Sequence, residues 1–298
     1  MKLLVILGPT ASGKSALAVA KALELNGEIV SCDSRQVYQG LDIGSGKVTE
    51  GEMQGIPHHI ISIAAPESEY NVSHFLTDAR KAIADIESRG KLPILCGGTT
   101  FWARALLLGE SLPEVAPNLE LRNELENLST PDLFQKLQIL DPAFAEKVDR
   151  KNPHRLIRAI EIATTLGHVP QRTAKSLYLP SEVELLVLKP AREELRGKIT
   201  QRLDQRLAHT PVASDAQVDT TNSPLIGEVR KLIAQGISTD WLLGLGLEYT
   251  WVTRYLQGDV SYQHMRGELI QDIVHYAKRQ ETFLRKLERD WQELIVAQ

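Results

Sequence analysis

The octapeptide GPTASGKS at positions 8–15 constrains this chain more than any other stretch. It follows the apolar run LLVIL and precedes a segment with alanines and leucines at helical spacing. Gly-x4-Gly-Lys-Ser between a strand and a helix is the pattern of a phosphate-binding loop. The glycines let the backbone curl until successive N–H groups point at phosphate oxygens, and the following helix adds the positive end of its dipole. Lys14 supplies a compact charge and Ser15 a hydroxyl that can ligate Mg²⁺. Gly8, Pro9, Thr10, Ala11, Ser12, Gly13, Lys14 and Ser15 are therefore assigned to a bound di- or triphosphate. The loop alone leaves the reaction open.

Around it, strand and helix signals alternate. Apolar strands are expected at 3–7, 28–32, 59–64 and 92–96, with helices at 14–25, 73–89 and 100–108. Such alternation implies a parallel α/β sheet with right-handed crossovers. From about Pro117 the character changes: 118–128, 131–141, 142–149 and 153–166 read as helices punctuated by proline. A strand signal returns at 184–188, so an all-helical domain at 117–182 is expected as an insertion into the core formed by 1–116 and 183–298. Helices follow at 192–207, 225–234, 247–256 and 262–294, and the polar stretch 209–224 reads as a mobile loop.

The bulk composition excludes several classes. A net charge of −4 does not advertise nucleic-acid binding, so any such partner needs a local basic face. No apolar run approaches the ~20 residues needed to cross a bilayer. Neither Cys32 nor Cys96 belongs to a cluster with metal-ligand spacing, and both read as small core residues of a reducing compartment. A cytosolic monomer with no membrane contact is expected. Asp33, at the end of the second strand, keeps a nucleotide hydrolase or kinase open, since those enzymes need an acidic residue there. Against them, no base-specificity motif and no lid of spaced arginines is found.

Five segments sharpen this. GPTASGKS, SCDSRQVYQGLDIGSGK (31–47), GGTTFWARALLLG (97–109), NPHRLIRAIEI (152–162) and AKRQETF (277–283) together resemble the tRNA dimethylallyltransferases, also called tRNA isopentenyltransferases. The resemblance runs over nearly the whole chain with the motifs in family order. It implies a P-loop-kinase-like core with a helical insertion that grips the anticodon stem-loop of tRNA. It implies transfer of a dimethylallyl group from dimethylallyl diphosphate to N6 of the adenosine 3′ of the anticodon (position 37), in tRNAs reading codons that begin with U. Diphosphate is released, Mg²⁺ is the cofactor and ATP is not consumed.

The same resemblance gives residue roles. Asp33 matches the family's catalytic carboxylate, Thr10 the group that hydrogen-bonds the bridging oxygen, and Arg202 an arginine near the diphosphate. Asp33, Ser34, Arg35, Gln36, Thr99, Arg122, His154, Arg155, Leu156, Ile157 and Arg158 match tRNA contacts. Arg155 and Arg158, three apart, share one helix face and read as a phosphate-binding stripe. Lys278 and Arg279 sit among interleaved acidic residues, so a salt-bridged helix competes there with an RNA face.

The chain departs from the family pattern in its last third. Ile273 and Val274 stand where Thr-Arg is usual, Phe283 where Trp is usual, and Gly246-Leu247-Glu248-Tyr249 where Gly-Tyr-Lys-Glu is usual. Two rivals remain: an adenylate isopentenyltransferase with the same chemistry on AMP, ADP or ATP, and a P-loop small-molecule kinase.

Overall fold

The computed structural model describes residues 2–109, 113–170, 178–208 and 220–296. The chain divides into two compact units, Met1–Leu108 with Ser176–Gln298, and Gly109–Lys175. The second unit thus starts and ends earlier in the chain than the 117–182 expected from composition.

The first unit opens with β1 (Leu3–Leu7), whose five residues are all buried. Its apolar, β-rich sequence lacks any polar alternation because both faces are covered. The phosphate loop then leads into α1 (Lys14–Leu25) and β2 (Gly27–Cys32). A short α2 (Glu50–Met53) and a two-residue β3 (His58–His59) precede α3 (Val72–Ser88), β4 (Leu92–Gly97) and α4 (Thr100–Leu108). The second unit contributes α5 (Leu119–Glu126), α6 (Thr130–Leu140), α7 (Pro142–Ala145) and α8 (Pro153–Leu166). The first unit resumes with β5 (Val183–Val187), α9 (Arg192–Leu207), α10 (Pro224–Ala234), α11 (Thr239–Leu245), α12 (Leu247–Gln257) and α13 (Tyr262–Val296).

The five strands form one sheet in the order β3-β2-β4-β1-β5, every pairing parallel. On one face, Ala18, Val19 and Ala22 of α1 pack on Leu4, Ile6, Ile29, Ile94 and Cys96. The small alanines let the helix lie close to the branched strand residues. Cys32 and Cys96 are buried free thiols, as expected of small core residues.

The topology places chemistry at one edge. β2, β4 and β1 are neighbours, and from their carboxyl ends emerge Asp33, the Gly98-Thr99 turn and the phosphate loop respectively. The crevice beyond the carboxyl ends of a parallel sheet is where such folds bind ligands.

Several expected elements differ. The strand expected at 59–64 stops at His59, because Ile60 and Ser62 adopt left-handed backbone (φ 62° and 54°) that no strand continues through. Only an isolated bridge from Tyr38 to Ala64 survives. Helix α3 is capped by Asn71, whose side chain accepts from the N–H groups of Ser73 and His74, so Ser73 is inside the helix. Helix α7 ends at Ala145 rather than 149. Helix α11 was hidden by Gly244 and Gly246; Ser238 caps it from outside, taking the Asp240 and Trp241 N–H groups. Most of the stretch expected to be a mobile loop, 209–219, lies outside the described residues.

The second unit has its own core: Leu125, Leu133, Leu137, Ala145, Leu156, Ile157, Ala159 and Ile160. This corrects two sequence expectations. Leu156 is wholly buried and Ile157 is 6% exposed, so their side chains hold α8 against its neighbours and offer no surface to RNA. A contiguous motif had carried them along; helical periodicity turns them inward.

Candidate active site

The phosphate loop has the conformation its glycines were expected to permit. Ala11 (φ 60°) and Gly13 (φ 85°) are left-handed, and Gly13 caps α1 with no side-chain hydrogen bond. The first N–H groups of α1 are therefore not taken up by a cap, as an anion site requires. A Cβ at Gly8 would come within 2.6 Å of Ser12 Oγ, so only glycine lets the loop close there. Ser12 Oγ is buried and has no hydrogen-bond partner among the described residues. An unpaired buried hydroxyl under a curled loop suits an incoming phosphate oxygen.

Lys14 donates from Nζ to the Pro9 carbonyl at 3.2 Å. Burial pushes its pKa down; the Asp33 carboxylate pulls the other way and the Arg202 guanidinium adds to the lowering. No carboxylate pairs with this ammonium among the described residues, which leaves it able to take up an anion.

Asp33 sits one residue past β2. Its Oδ1 accepts the N–H groups of Arg35 (2.9 Å) and Gln36 (3.4 Å), while Oδ2 takes no hydrogen bond from the described residues. The turn fixes the carboxylate and leaves one oxygen available as a proton acceptor. Ser34 N–H donates to Thr99 Oγ1 at 3.0 Å, and Thr99 N–H to the Cys32 carbonyl at 3.1 Å, clamping the ends of β2 and β4 together. Gln36 donates from Nε2 to the Gly46 carbonyl at 3.1 Å.

Thr10, Lys14, Ser15, Asp33 and Arg202 line one cavity of about 530 Å³, with α12 and α13 forming its far wall. Arg202 makes no ion pair with the described residues, whereas Arg206, one turn on, pairs with Glu248 at 3.3 Å. Burial drives Arg206 down to about 10 and Glu248 upward. Arg206 is thus answered by a carboxylate, and Arg202 is left as a spare cation for an anion.

Gly46 makes this placement possible. Its φ is +64°, and a Cβ there would stand 2.5 Å from Arg202 Nη2 and closer still to Arg206. Gly46→Ala is therefore expected to push both guanidiniums away and to weaken diphosphate binding by about tenfold, the loss of roughly one charge-assisted hydrogen bond. Isothermal titration with inorganic diphosphate checks this; an affinity within twofold of wild type contradicts it.

One residue escaped the sequence reading. Gln280 of α13, 6% exposed, accepts the Thr10 N–H on Oε1 at 2.8 Å and donates from Nε2 to the Gly98 carbonyl at 2.9 Å. It ties the phosphate loop to the end of β4 through the C-terminal helix. Within AKRQ the charged Lys278 and Arg279 carry the local signal, and a neutral amide beside them carries none. Of the positions that depart from the family pattern, Leu247, Glu248, Tyr249 and Ile273 line the cavity, and Phe283 is 44% exposed.

Arg122, His154, Arg155 and Arg158 lie in the second unit. His154 and Arg155 are exposed, with Arg155 3.9 Å from Asp149. Arg122 and Arg158 both grip Glu161: Arg122 Nε and Nη2 donate at 2.8 and 2.9 Å, and Arg158 Nη1 at 3.2 Å. Arg158 Nη2 also donates to the Val115 carbonyl at 2.8 Å. Burial alone would raise the Glu161 pKa; the arginines overcome it and hold the carboxyl below its usual range. Of the expected phosphate-binding stripe, Arg155 is exposed beside Asp149, and Arg158 is engaged with a buried carboxylate.

Comparisons with known proteins bear on this geometry. Residues 36–287 match the family described as IPP transferase, and residues 1–62 the one described as Isopentenyl transferase. A tRNA dimethylallyltransferase of Thermomicrobium roseum is 36% identical over 97% of this chain and 85% of its own. One of Syntrophus aciditrophicus is 40% identical over 98% and 92%. Among solved structures, a tRNA isopentenylpyrophosphate transferase of Bacillus halodurans aligns with a TM-score of 0.67 at 34% identity, over 95% of this chain and 86% of that one. A eukaryotic dimethylallyltransferase acting on tRNA aligns with a TM-score of 0.73 at 23% identity, over 95% and 70%, which speaks to the fold alone.

Proposed function

The chain belongs to the IPP transferase family, and from that premise we propose that its phosphate loop holds the diphosphate of dimethylallyl diphosphate while the dimethylallyl group moves to N6 of an adenosine in tRNA. It is a prenyltransferase acting on tRNA, as its relatives are. The observation that carries the reading is the shared cavity: phosphate loop, spare Arg202 cation and Asp33 carboxylate face one space.

The steps follow from residue chemistry. The allylic C–O bond breaks and its electron pair passes to the diphosphate oxygen. The loop N–H groups, Lys14 and Arg202 stabilise the charge that grows there, and the Thr10 hydroxyl donates to the bridging oxygen. The adenine amine is a weak nucleophile because its lone pair is delocalised into the ring. As N6 bonds to the allylic carbon it sheds a proton, and Asp33 takes it through Oδ2. The adenosine reaches this cavity by leaving its stack. Ser34, Arg35, Gln36 and Thr99 contact the extruded nucleotide, and the exposed His154 and Arg155 of the second unit bind the anticodon stem backbone, with Arg122 and Arg158 bracing α8 through Glu161. The acceptor is the adenosine 3′ of the anticodon, at position 37, in tRNAs reading codons that begin with U.

No group of three or more His, Cys, Asp or Glu side chains suited to a metal ion occurs among the described residues. The Ser15 hydroxyl with substrate phosphate oxygens is a donor set that fits Mg²⁺, which retains waters and binds largely through phosphates. When bound, it neutralises the departing diphosphate. No described helix is long and apolar enough to cross a membrane. We take the chain to act as a monomer in the cytoplasm, where tRNA is processed.

The test supplies labelled dimethylallyl diphosphate and Mg²⁺ with unmodified tRNA or with AMP. Label on tRNA is the expected result. Label on AMP alone selects the adenylate enzyme, and label on neither refutes the prenyltransferase reading.

A further inference from the structure

Four consecutive backbone N–H groups, those of Asp42, Ile43, Gly44 and Ser45, point the same way. Such a run forms a concavity that binds anions. Here the anion is the protein's own. Glu228 of α10 accepts from Asp42 (2.9 Å) and Ile43 (2.6 Å) on Oε2, and from Gly44 (3.0 Å) on Oε1. The Tyr249 hydroxyl donates to the same Oε1 at 2.9 Å and accepts the Ser45 N–H at 3.1 Å. Glu228 has no ion pair among the described residues. Its carboxylate accepts four hydrogen bonds, about the capacity of its two oxygens.

The tyrosine also sets the loop sterically. A Cβ on Gly44 would stand 2.6 Å from Tyr249 Cζ, so the buried ring occupies the space a side chain would need. The held loop is a wall of the catalytic cavity: Gly44, Ser45 and Gly46 all line it. It also places the Gly46 carbonyl that orients Gln36, three residues from Asp33.

We infer that Glu228 and Tyr249 are positioning residues that hold the 42–46 loop as a preformed wall against the acceptor nucleotide. The inference rests on the prenyl-transfer reading for its kinetic half only. In Glu228→Gln an –NH₂ replaces one acceptor and faces backbone donors. In Tyr249→Phe the link to Ser45 is lost with the ring kept.

The experiment combines steady-state kinetics with amide hydrogen exchange on both variants of the full chain. Exchange of the 42–45 amides should accelerate in each, with the phosphate-loop amides unchanged. The kcat/KM for tRNA should fall about tenfold or more in Glu228→Gln, since small misplacements near reacting groups are costly, and less in Tyr249→Phe. Because Gly46 of the same loop packs on Arg202, affinity for inorganic diphosphate should fall as well, but by clearly less than the kcat/KM for tRNA. A merely structural role would lower donor and acceptor terms equally. Unchanged exchange at 42–45, tRNA kinetics within twofold, or an equal loss of diphosphate affinity overturns the inference. If Glu228→Gln does not fold, Tyr249→Phe decides alone. If wild-type protein transfers nothing to tRNA, the proposed function falls, while the exchange data still report whether these residues hold the loop.

Discussion

Replacing Asp33 with alanine lowers prenyl transfer by about 10²–10⁴-fold, the usual contribution of a positioned general base, and leaves diphosphate binding largely intact. The separation follows from the site. Oδ1 is committed to the turn at Arg35 and Gln36, while Oδ2 is unoccupied and shares the cavity with the phosphate loop. No hydrogen bond links Asp33 to the phosphate loop among the described residues. Because alanine also removes the turn, Asp33→Asn is the sharper variant: an amide oxygen still accepts from the Arg35 N–H but takes no proton at neutral pH. A comparable loss in both variants assigns the defect to proton transfer. Near-wild-type turnover in Asp33→Asn removes Asp33 as the base.

Lys14→Ala acts on the other partner and fails differently. Its ammonium is buried, with burial weakening its hold on the proton, so it is poised to gain from an anion. Loss of this charge should weaken diphosphate binding by about tenfold and lower kcat by a further ~10²-fold, because the charge on the leaving group is larger in the transition state than in the bound donor. Titration with inorganic diphosphate and single-turnover kinetics read the two terms. Unchanged diphosphate affinity contradicts the assignment.

What the sequence revealed about this site follows from range. The phosphate loop and the strand–helix alternation were legible because each is written in a short window of residues. Asp33 was legible because the segment after β2 is itself a recognisable string. Contacts that close the site over long separations were not. Gln280 meets Thr10 across 270 residues, and Glu228 meets Asp42 across 186; nothing local to either end advertises the other. The string NPHRLIRAIEI misled for the opposite reason. Read as a block it offered Leu156 and Ile157 to RNA, whereas the helical repeat buries them and brings Arg122 and Arg158 onto Glu161, which the string also contains. Backbone conformation was likewise hidden at 60–62, where Ile60 is a strong strand former held left-handed.

The central claim is that the phosphate loop grips a leaving group and not a fuel. Its most direct test counts products in one reaction containing dimethylallyl diphosphate, unmodified tRNA, Mg²⁺ and ATP. Inorganic diphosphate and N6-dimethylallyladenosine should appear one for one, with ATP intact. Orthophosphate released from ATP, with no diphosphate matched to prenylated adenosine, would contradict the account.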